Sequence, residues 1–396
     1  MFEPKTVFIL GAGASWHYGY PTGEELVKKV VEKAKYVSLY FKHSLNASNV
    51  IRPKYLIRNS KQGASVREQW QTALSECEEL KAGLEQVNPL VIDYFLGWNP
   101  RLQPIGKLLI AWVILECEQA RLQLRGNINR RHIFQSSPVH AERVAAQGLD
   151  VKKFKDDWCR FVIHELAMNC KVSSDLLKND VRFITFNYDV SLERALHLGL
   201  RHIQLFQTAD IDNFFEDDRI LHIYGKVREV PPIDSPALKW SEQSRDPKDL
   251  TEFALSGYYS EYKAFLDPID DASQNLRVID PLDKETDKHI IADAKTAIAE
   301  AKRVYILGYG FDANNSERLG LPGSLHYEHN KKSVVFTNFR DVNRVNKRAS
   351  KIFFGNMTHF GPGSPTVEGS RDAYYEKSVR DVYEAFELDF DAFEKN

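Results

Sequence analysis

The chain has 396 residues, which corresponds to two or three domains of ordinary size or to one large domain with an insertion. Lys and Arg total 53 and Asp and Glu total 55, so the formal net charge of −2 gives no electrostatic reason to expect nucleic-acid binding. Hydrophobic residues at 43% and charged residues at 27% exclude a disordered or collagen-like chain. The longest apolar run, residues 108–115, is far shorter than the roughly twenty residues of a bilayer span, so no membrane contact is expected.

The N-terminal segment predicts the opening of a parallel α/β sheet. Residues 6–10 (TVFIL) are apolar and run directly into the glycine turn GAGAS at residues 11–15. A helix is predicted from Thr22, with Glu25 three residues later in a capping-box pattern. The segment lacks a basic region followed by an apolar one, so it does not resemble a signal peptide. A cytoplasmic protein with reduced, buried thiols is therefore expected.

The middle of the chain interrupts the α/β pattern. Helices are predicted over residues 68–87, 105–124 and 151–170, and almost no strand signal occurs between residues 38 and 175. Beyond it, strands are predicted at residues 181–186, 202–206, 219–224, 304–307, 333–337 and 351–354. A helix is predicted at 287–302, and an acidic, aromatic-rich helix from about 371. The predicted fold is α/β, a Rossmann-like parallel sheet (residues 1–37 and 176–396) with a large helical insertion (residues 38–175).

Ligands of open parallel sheets bind outside the carboxyl ends of the strands, so polar residues and glycines at those ends form the candidate site. A glycine turn lets backbone N–H groups approach a pyrophosphate, and a following helix adds a favourable dipole. Two such turns each follow an apolar strand, which favours nucleotide binding over simple structural turns. The candidate residues are Gly11, Ala12, Gly13, Ala14, Ser15, Asn187, Asp189, His222, Gly308, Tyr309, Gly310 and Asn338.

Five elements in order resemble the sirtuin-like NAD-binding superfamily. They are GAGAS, the sequence Gly19-Tyr20-Pro21-Thr22, the sequence FNYD at residues 186–189, a strand end containing His222, and LGYG at residues 307–310. The resemblance covers residues 5–37 and about 180–355. It adds Pro21 and Thr22 to the residues expected to bind the nucleotide.

The chain also departs from the zinc-containing deacetylases of that superfamily. It has no CxxC pair for a zinc ribbon, and Pro21-Thr-Gly-Glu replaces the Pro-Asp-Phe-Arg of deacetylases. No other metal-ligand spacing is seen, so no metal is expected. The resemblance therefore implies the prokaryotic anti-phage branch, whose members hydrolyse NAD. Related proteins show His-Gly where this chain has Tyr224-Gly225, so either His222 or another residue serves as the catalytic base.

The resemblance implies an NAD+ glycohydrolase, an abortive-infection effector that releases nicotinamide and ADP-ribose. Asn187 would hold the ribose hydroxyls or the attacking water, His222 would act as general base, and Asp189 would orient its neighbours or stabilise positive charge. Gly11–Ser15 would hold the pyrophosphate, while Gly308–Gly310 and Asn338 would face the adenosine ribose. Structural readings stay open beside these: a buried histidine in the sheet, a turn asparagine and a helix N-cap aspartate.

Relatives of this kind are held inactive in oligomers or by partners, so a homo-oligomer and a HerA-type translocase ATPase or an Argonaute-type protein are expected. The alternative is a non-catalytic NAD-binding sensor or structural subunit, which Tyr224 favours. A third reading is a nucleic-acid-directed effector that uses the basic segment RGNINRR at residues 125–131, but the charge balance argues against direct binding.

Overall fold

The computed structural model describes most of the chain, in two compact units. One unit contains residues 1–18, 149–223 and 285–396, and the other contains residues 19–148 and 224–284. The described residues are 1–2, 5–16, 18–46, 52–126, 158–216, 218–228, 259–278, 288–326, 332–338, 342–355 and 374–375. For residues 118–126, 259–265, 288 and 374–375 the description is of the backbone.

The first unit is built on a parallel sheet. Its described strands are β1 (Thr6–Leu10), β2 (Val181–Thr185), β3 (Ile220–His222), β4 (Arg303–Leu307), β5 (Ser333–Thr337) and β6 (Tyr374–Tyr375). Every pairing is parallel, and the strand order is β3-β2-β1-β4-β5-β6. This is the order of the Rossmann fold, in which the direction of winding reverses between β1 and β4. The predicted α/β Rossmann-like fold is confirmed.

Stacked aromatic rings hold the centre of the sheet together. Phe8 lies opposite Phe183 on one neighbouring strand and opposite Tyr305 on the other. The ring centroids of these two pairs are 5.1 and 4.9 Å apart. All five residues of β1 are buried, which is typical of a parallel strand covered on both faces. Trp158 stacks on Phe8 at 6.0 Å and donates its indole N–H to the carbonyl of Ala14.

Helices complete the first unit. Helices of both units are numbered together in chain order. Those of the first unit are α1 (Gly13–Trp16), α7 (Trp158–Ala167), α8 (Ser191–Arg201), α9 (Thr208–Glu216), α11 (Lys288–Glu300), α12 (Ala313–Arg318), α13 (Leu321–Ser324) and α14 (Asn343–Phe354). A 3-10 turn covers Ser173–Lys178. The helices predicted at 151–170 and 287–302 are confirmed as α7 and α11, which end at Ala167 and Glu300, and residues 151–157 lie outside the described residues.

The second unit is helical in its described part. Its helices are α2 (Gly23–Asn46), α3 (Lys54–Asn59), α4 (Val66–Val87), α5 (Ile92–Trp98), α6 (Gln103–Gly126) and α10 (Tyr259–Gln274), with a 3-10 turn at Pro100–Leu102. The predicted helices at 68–87 and 105–124 are confirmed. The helix α2 packs on α4 and α6, and α10 packs on α6 and α3. No described helix has an apolar stretch of the length and hydropathy that would let it cross a membrane.

Several predicted strands are wrong. Residues 202–206 form turns after α8, closed by backbone bonds from Ile203 to Leu200 and from Phe206 to Ile203. Residues 351–354 belong to α14, whose buried positions Ala349, Ile352 and Phe353 recur at helical spacing. The strand predicted at 219–224 ends at His222, and Tyr224 lies beyond it in a turn.

The C-terminal prediction is tested at two residues only. Tyr374 and Tyr375 pair with β5 and are a strand, where a helix was predicted. The rest of that predicted helix lies outside the described residues. The division into units also differs from the predicted 1–37, 38–175 and 176–396. All of α2 belongs to the helical unit, α7 belongs to the sheet unit, and residues 224–284 return to the helical unit.

Candidate functional site

The ends of β1, β2 and β3 bring together most of the polar residues predicted from the sequence. Asn187 follows β2, His222 ends β3, and Ser15 lies in the turn of α1 that follows β1. The three strands are adjacent in the sheet, so their carboxyl ends share one edge. This edge is the place where Rossmann-like sheets bind ligands. We call Ser15, Asn187, Asp189, Glu193 and His222 the polar cluster.

The amide of Asn187 has a fixed orientation. Its Nδ2 donates to the carbonyl oxygen of Gly11 at 3.1 Å and to Oγ of Ser15 at 2.7 Å. A backbone carbonyl only accepts, so the NH2 group and not Oδ1 must face Gly11. Both hydrogens of Nδ2 are thereby used. Oδ1 accepts no hydrogen bond from any described residue, and the side chain is partly exposed.

Asp189 and Ser15 hold that amide in place through a chain of hydrogen bonds. The hydroxyl of Ser15 donates to Oδ2 of Asp189 at 2.9 Å, while Oδ1 accepts from the backbone N–H of Ser191 at 3.0 Å. Asp189 therefore closes an Asx turn at the start of α8, where the helix dipole favours a negative charge. Both residues are buried. The side chain of Ser15 lies in the polar cluster.

His222 uses both of its ring nitrogens within the chain. Nδ1 is 3.1 Å from the backbone oxygen of Asn187, and Nε2 is 2.8 Å from Oε1 of Glu193. Since the carbonyl can only accept, Nδ1 carries a proton. In this arrangement neither nitrogen is positioned to take a proton from a ribose hydroxyl. A role as general base would require His222 to leave one of these partners.

Sequence reasoning missed Glu193. It lies in the first turn of α8, six residues after Asn187, where an acidic side chain is usually explained by the helix dipole alone. Its burial, at 6% relative exposure, is what sets it apart from a surface residue. The sequence carried one signal for this burial. Glu193 lies one helical turn before Leu196, on the face of α8 that carries buried residues.

The two glycine turns pack against each other. A Cβ on Gly11 would lie 2.5 Å from the oxygen of Gly308, and a Cβ on Gly308 would lie 2.1 Å from the nitrogen of Ala14. The N–H of Gly13 donates to Gly308, and that of Gly308 to Oγ1 of Thr337. The glycines thus permit a close approach of backbone to backbone across the switch between β1 and β4.

This packing bears on the predicted pyrophosphate site. The amides of Gly11, Gly13, Ala14 and Ser15 all donate to carbonyl oxygens of the chain, and α1 has only four residues. Those amides are engaged, and a one-turn helix supplies little dipole. The assignment of Gly11, Ala12, Gly13, Ala14 and Ser15 to pyrophosphate binding stays a prediction.

The second glycine turn is filled by aromatic rings. Tyr309 stacks on Phe186 with centroids 5.1 Å apart, and its hydroxyl contacts Oγ of Ser316. Burial raises the pKa of Tyr309, so the phenol stays neutral. Gly310 is exposed, and its carbonyl accepts from Arg348.

Asn338 is a loop-closing residue in this structure. Its Nδ2 donates to the oxygen of Val342 and to Oδ1 of Asn346, and its Oδ1 accepts from the N–H of Val342. Its predicted contact with an adenosine ribose stays a prediction.

Three residues singled out from the sequence lie in the helical unit. Pro21 and Thr22 precede α2, and the carboxylate of Glu25 accepts from both the N–H and the hydroxyl of Thr22. Tyr224 lies in a turn, and its carbonyl accepts from the N–H of Arg277. Their predicted roles therefore rest on the sequence.

Within the described ranges, no group of three or more His, Cys, Asp or Glu side chains is arranged to hold a metal ion.

No family model, curated protein or solved structure matches this chain. The resemblance to the sirtuin-like superfamily therefore stays a prediction.

Proposed function

We propose that the chain is an NAD+ glycohydrolase that cleaves the nicotinamide N-glycosidic bond. The observation that carries the proposal is the amide of Asn187. Both of its N–H bonds are used within the chain. Oδ1 of this partly exposed residue remains as an acceptor at the ligand-binding edge of a Rossmann-ordered sheet. Such an acceptor suits a ribose hydroxyl or a water molecule.

The reaction makes limited demands on the protein. As the bond from the ribose carbon to nicotinamide breaks, its electron pair leaves with the ring, which departs as a neutral molecule, and the ribose gains oxocarbenium character. A water molecule adds to that carbon and yields ADP-ribose, and its proton is released to solvent. Since the leaving group is good and neutral, the proposed chemistry needs no metal. The site must mainly orient the ribose and the water.

The polar cluster supplies this orientation. An acceptor oxygen fixed at Asn187 holds the water or a ribose hydroxyl and places the negative end of its dipole near the positive charge that develops. Ser15 and Asp189 keep the amide in that orientation, and the Asp189 carboxylate adds a negative charge nearby. These roles assign Asn187 to the substrate and the other residues to its support.

A second candidate is an NAD-binding sensor or structural subunit without turnover. The engagement of both nitrogens of His222 favours it, because the predicted general base has no acceptor nitrogen to offer. Tyr224, which replaces the histidine of the resemblance, points the same way. The two candidates differ in one measurable product, free nicotinamide.

The proposal extends to the setting implied by the resemblance. Uncontrolled NAD+ hydrolysis kills a cell, so we infer a cytoplasmic anti-phage effector that is inactive until triggered. A homo-oligomer and a partner of the HerA-type ATPase or Argonaute type would supply that control. These partners rest on the resemblance alone.

The test is chromatography of NAD+ incubated with the purified chain, alone and with its activator. Release of nicotinamide and ADP-ribose in equal amounts is expected. Asn187→Ala should lower kcat roughly 100- to 1,000-fold, the usual effect of removing one preorganised dipole. Its melting temperature should fall, because the bonds from Nδ2 to Gly11 and Ser15 are lost with the side chain, so kcat is compared at a temperature at which both proteins are folded.

Asn179→Ala is the matched control. Its Oδ1 accepts from the N–H of Phe2 and its Nδ2 donates to Leu166 and Leu176, so all its bonds are structural. It should lower the melting temperature while turnover of the folded protein is kept. Bound but intact NAD+ under all activating conditions, measured by calorimetry, would instead establish the binding-only candidate.

A further inference from the structure

Glu193 and His222 form a buried pair between α8 and the end of β3. Oε1 of Glu193 lies 2.8 Å from Nε2 of His222, and the two side chains are only 8% and 7% exposed. Away from bulk water a hydrogen bond of this kind is stronger than on the surface, and losing one partner leaves the other group uncompensated. The ring of His222 is therefore held in place by Glu193.

The second nitrogen of the ring transmits this restraint to Asn187. Nδ1 donates to the backbone oxygen of Asn187 at 3.1 Å, and the N–H of the same residue donates to Oγ1 of Thr185 at 3.0 Å. Loss of the bond to Glu193 would weaken the orientation of the ring, and with it the bond from Nδ1 to the carbonyl of Asn187. The turn that presents the Asn187 amide depends on the ring orientation.

We propose that Glu193 is a positioning residue for the NAD+ hydrolysis proposed above. It occupies Nε2 of His222, so that Nδ1–H points at the carbonyl of Asn187 and keeps the amide of that residue aimed at the ligand. Glu193 itself touches no substrate. This inference rests on the proposed function for its effect on turnover, but the arrangement of the three residues can be tested without it.

The kinetic test compares an apolar and an amide replacement. Glu193→Leu removes the partner of Nε2 and should lower kcat roughly 10- to 100-fold, the usual range for residues that orient a functional group, with KM for NAD+ within about threefold. Glu193→Gln should recover most of the lost kcat, because a glutamine NH2 can donate to Nε2 while Nδ1 keeps its proton. Full kcat in Glu193→Leu, or a kcat in Glu193→Gln as low as in Glu193→Leu, would overturn the inference.

The chain offers a matched control pair between α8 and α9. Nε2 of His197, also in α8, lies 3.2 Å from Oδ1 of Asp212, but that carboxylate is exposed. Asp212→Leu removes a partner of the same chemistry outside the polar cluster. It should leave kcat unchanged.

A spectroscopic arm separates this inference from the proposed function. In histidine- and asparagine-labelled protein, the NMR spectrum should show Nδ1 of His222 protonated in the wild type. The side-chain amide resonances of Asn187 should shift in Glu193→Leu and stay in Glu193→Gln and Asp212→Leu. An unprotonated Nδ1, or an unmoved Asn187 amide in Glu193→Leu, would overturn the inference. If Glu193→Leu does not fold, the wild-type and Glu193→Gln spectra decide it.

These outcomes are distinguishable from a failure of the proposed function. A wild type that releases no nicotinamide but shows the expected spectra would retain the positioning role and remove the hydrolase proposal. A wild type that hydrolyses NAD+ while Glu193→Leu keeps full kcat would do the reverse.

Discussion

Gly308 and Gly310 stand two residues apart in one turn, yet their surroundings differ. Gly308 has φ +60°, and a Cβ there would lie 2.1 Å from the nitrogen of Ala14. We expect Gly308→Ala to destabilise the protein by roughly 3 kcal/mol or more, through backbone strain together with a steric clash. Chemical denaturation of the variant and the wild type measures the difference.

Gly310→Ala is the control for that substitution. Nothing lies within 4 Å of a Cβ built on Gly310, so the unfolding free energy should stay within about 0.5 kcal/mol of the wild type. An equal loss in both variants would contradict the close packing of the two glycine turns.

Among single residues, the sequence predicted those whose residue type and position directly after a strand indicate a functional site. Asn187, Asp189 and His222 were found that way, and the structure brings them to one edge of the sheet. Their partners were harder to see. Glu193 joins His222 only because β3 and α8 approach in space, and the hydroxyl of Ser15 turns inward because α1 begins within the glycine turn. Contacts between distant segments leave no local pattern.

The helix α10 is attached to α3 by two neighbouring carboxylates in very different settings. Asp270 is fully buried and bonds Arg58, whereas Asp271 meets Lys54 on the surface, at 2.7 Å with both side chains about half exposed. Asp270→Asn should cost about 1–3 kcal/mol, because it weakens a charged hydrogen bond at a buried acceptor. Unfolding in urea with an unchanged m-value is the measurement.

Asp271→Asn serves as the comparison on the same helix. Exposed ion pairs contribute about 0–1 kcal/mol, so this variant should unfold close to the wild type. A larger loss at Asp271 than at Asp270 would mean that burial does not decide how α10 is held.

Long helices with a strong period were predictable, whereas short apolar runs were predicted correctly in some places and wrongly in others. The helices α4 and α6 and the strands β1, β2 and β5 follow their predicted positions closely. The runs at 202–206 and 351–354 are five and four residues long, too short for a period to separate strand from helix. Residues 351–354 became the last turn of α14 because they continue the apolar face that begins at Ala349.

The division of the whole molecule was the least predictable feature. The sequence pattern placed α7 in the insertion, because it follows other predicted helices in a segment with almost no strand signal. In the structure Trp158 of α7 covers Phe8 in the centre of the sheet. Residues 224–284 belong with the helical unit because α10 packs on α6 and α3. Sequence order carries no signal for which unit a segment rejoins.

Two deletion variants distinguish the predicted division of the chain from the observed one. Replacing residues 38–175 by a short linker follows the predicted boundaries and removes Trp158, which is 3% exposed, stacks on Phe8 and bonds Ala14. Losing a buried tryptophan costs about 3–5 kcal/mol, a large part of the total stability of an ordinary domain. We expect this chain to aggregate or to unfold without cooperativity.

The second deletion replaces residues 19–148 and 224–284 by linkers and so follows the observed units. It keeps α7 on the sheet and removes α10 together with the helices on which α10 packs. We expect it to retain an α/β circular dichroism spectrum and to unfold in one cooperative transition. If the first deletion variant folded and the second did not, the result would support the predicted unit boundaries at residues 37 and 176 over the observed ones. The aromatic stack of Trp158 on Phe8 would then contribute little to the sheet, which the burial of both rings argues against.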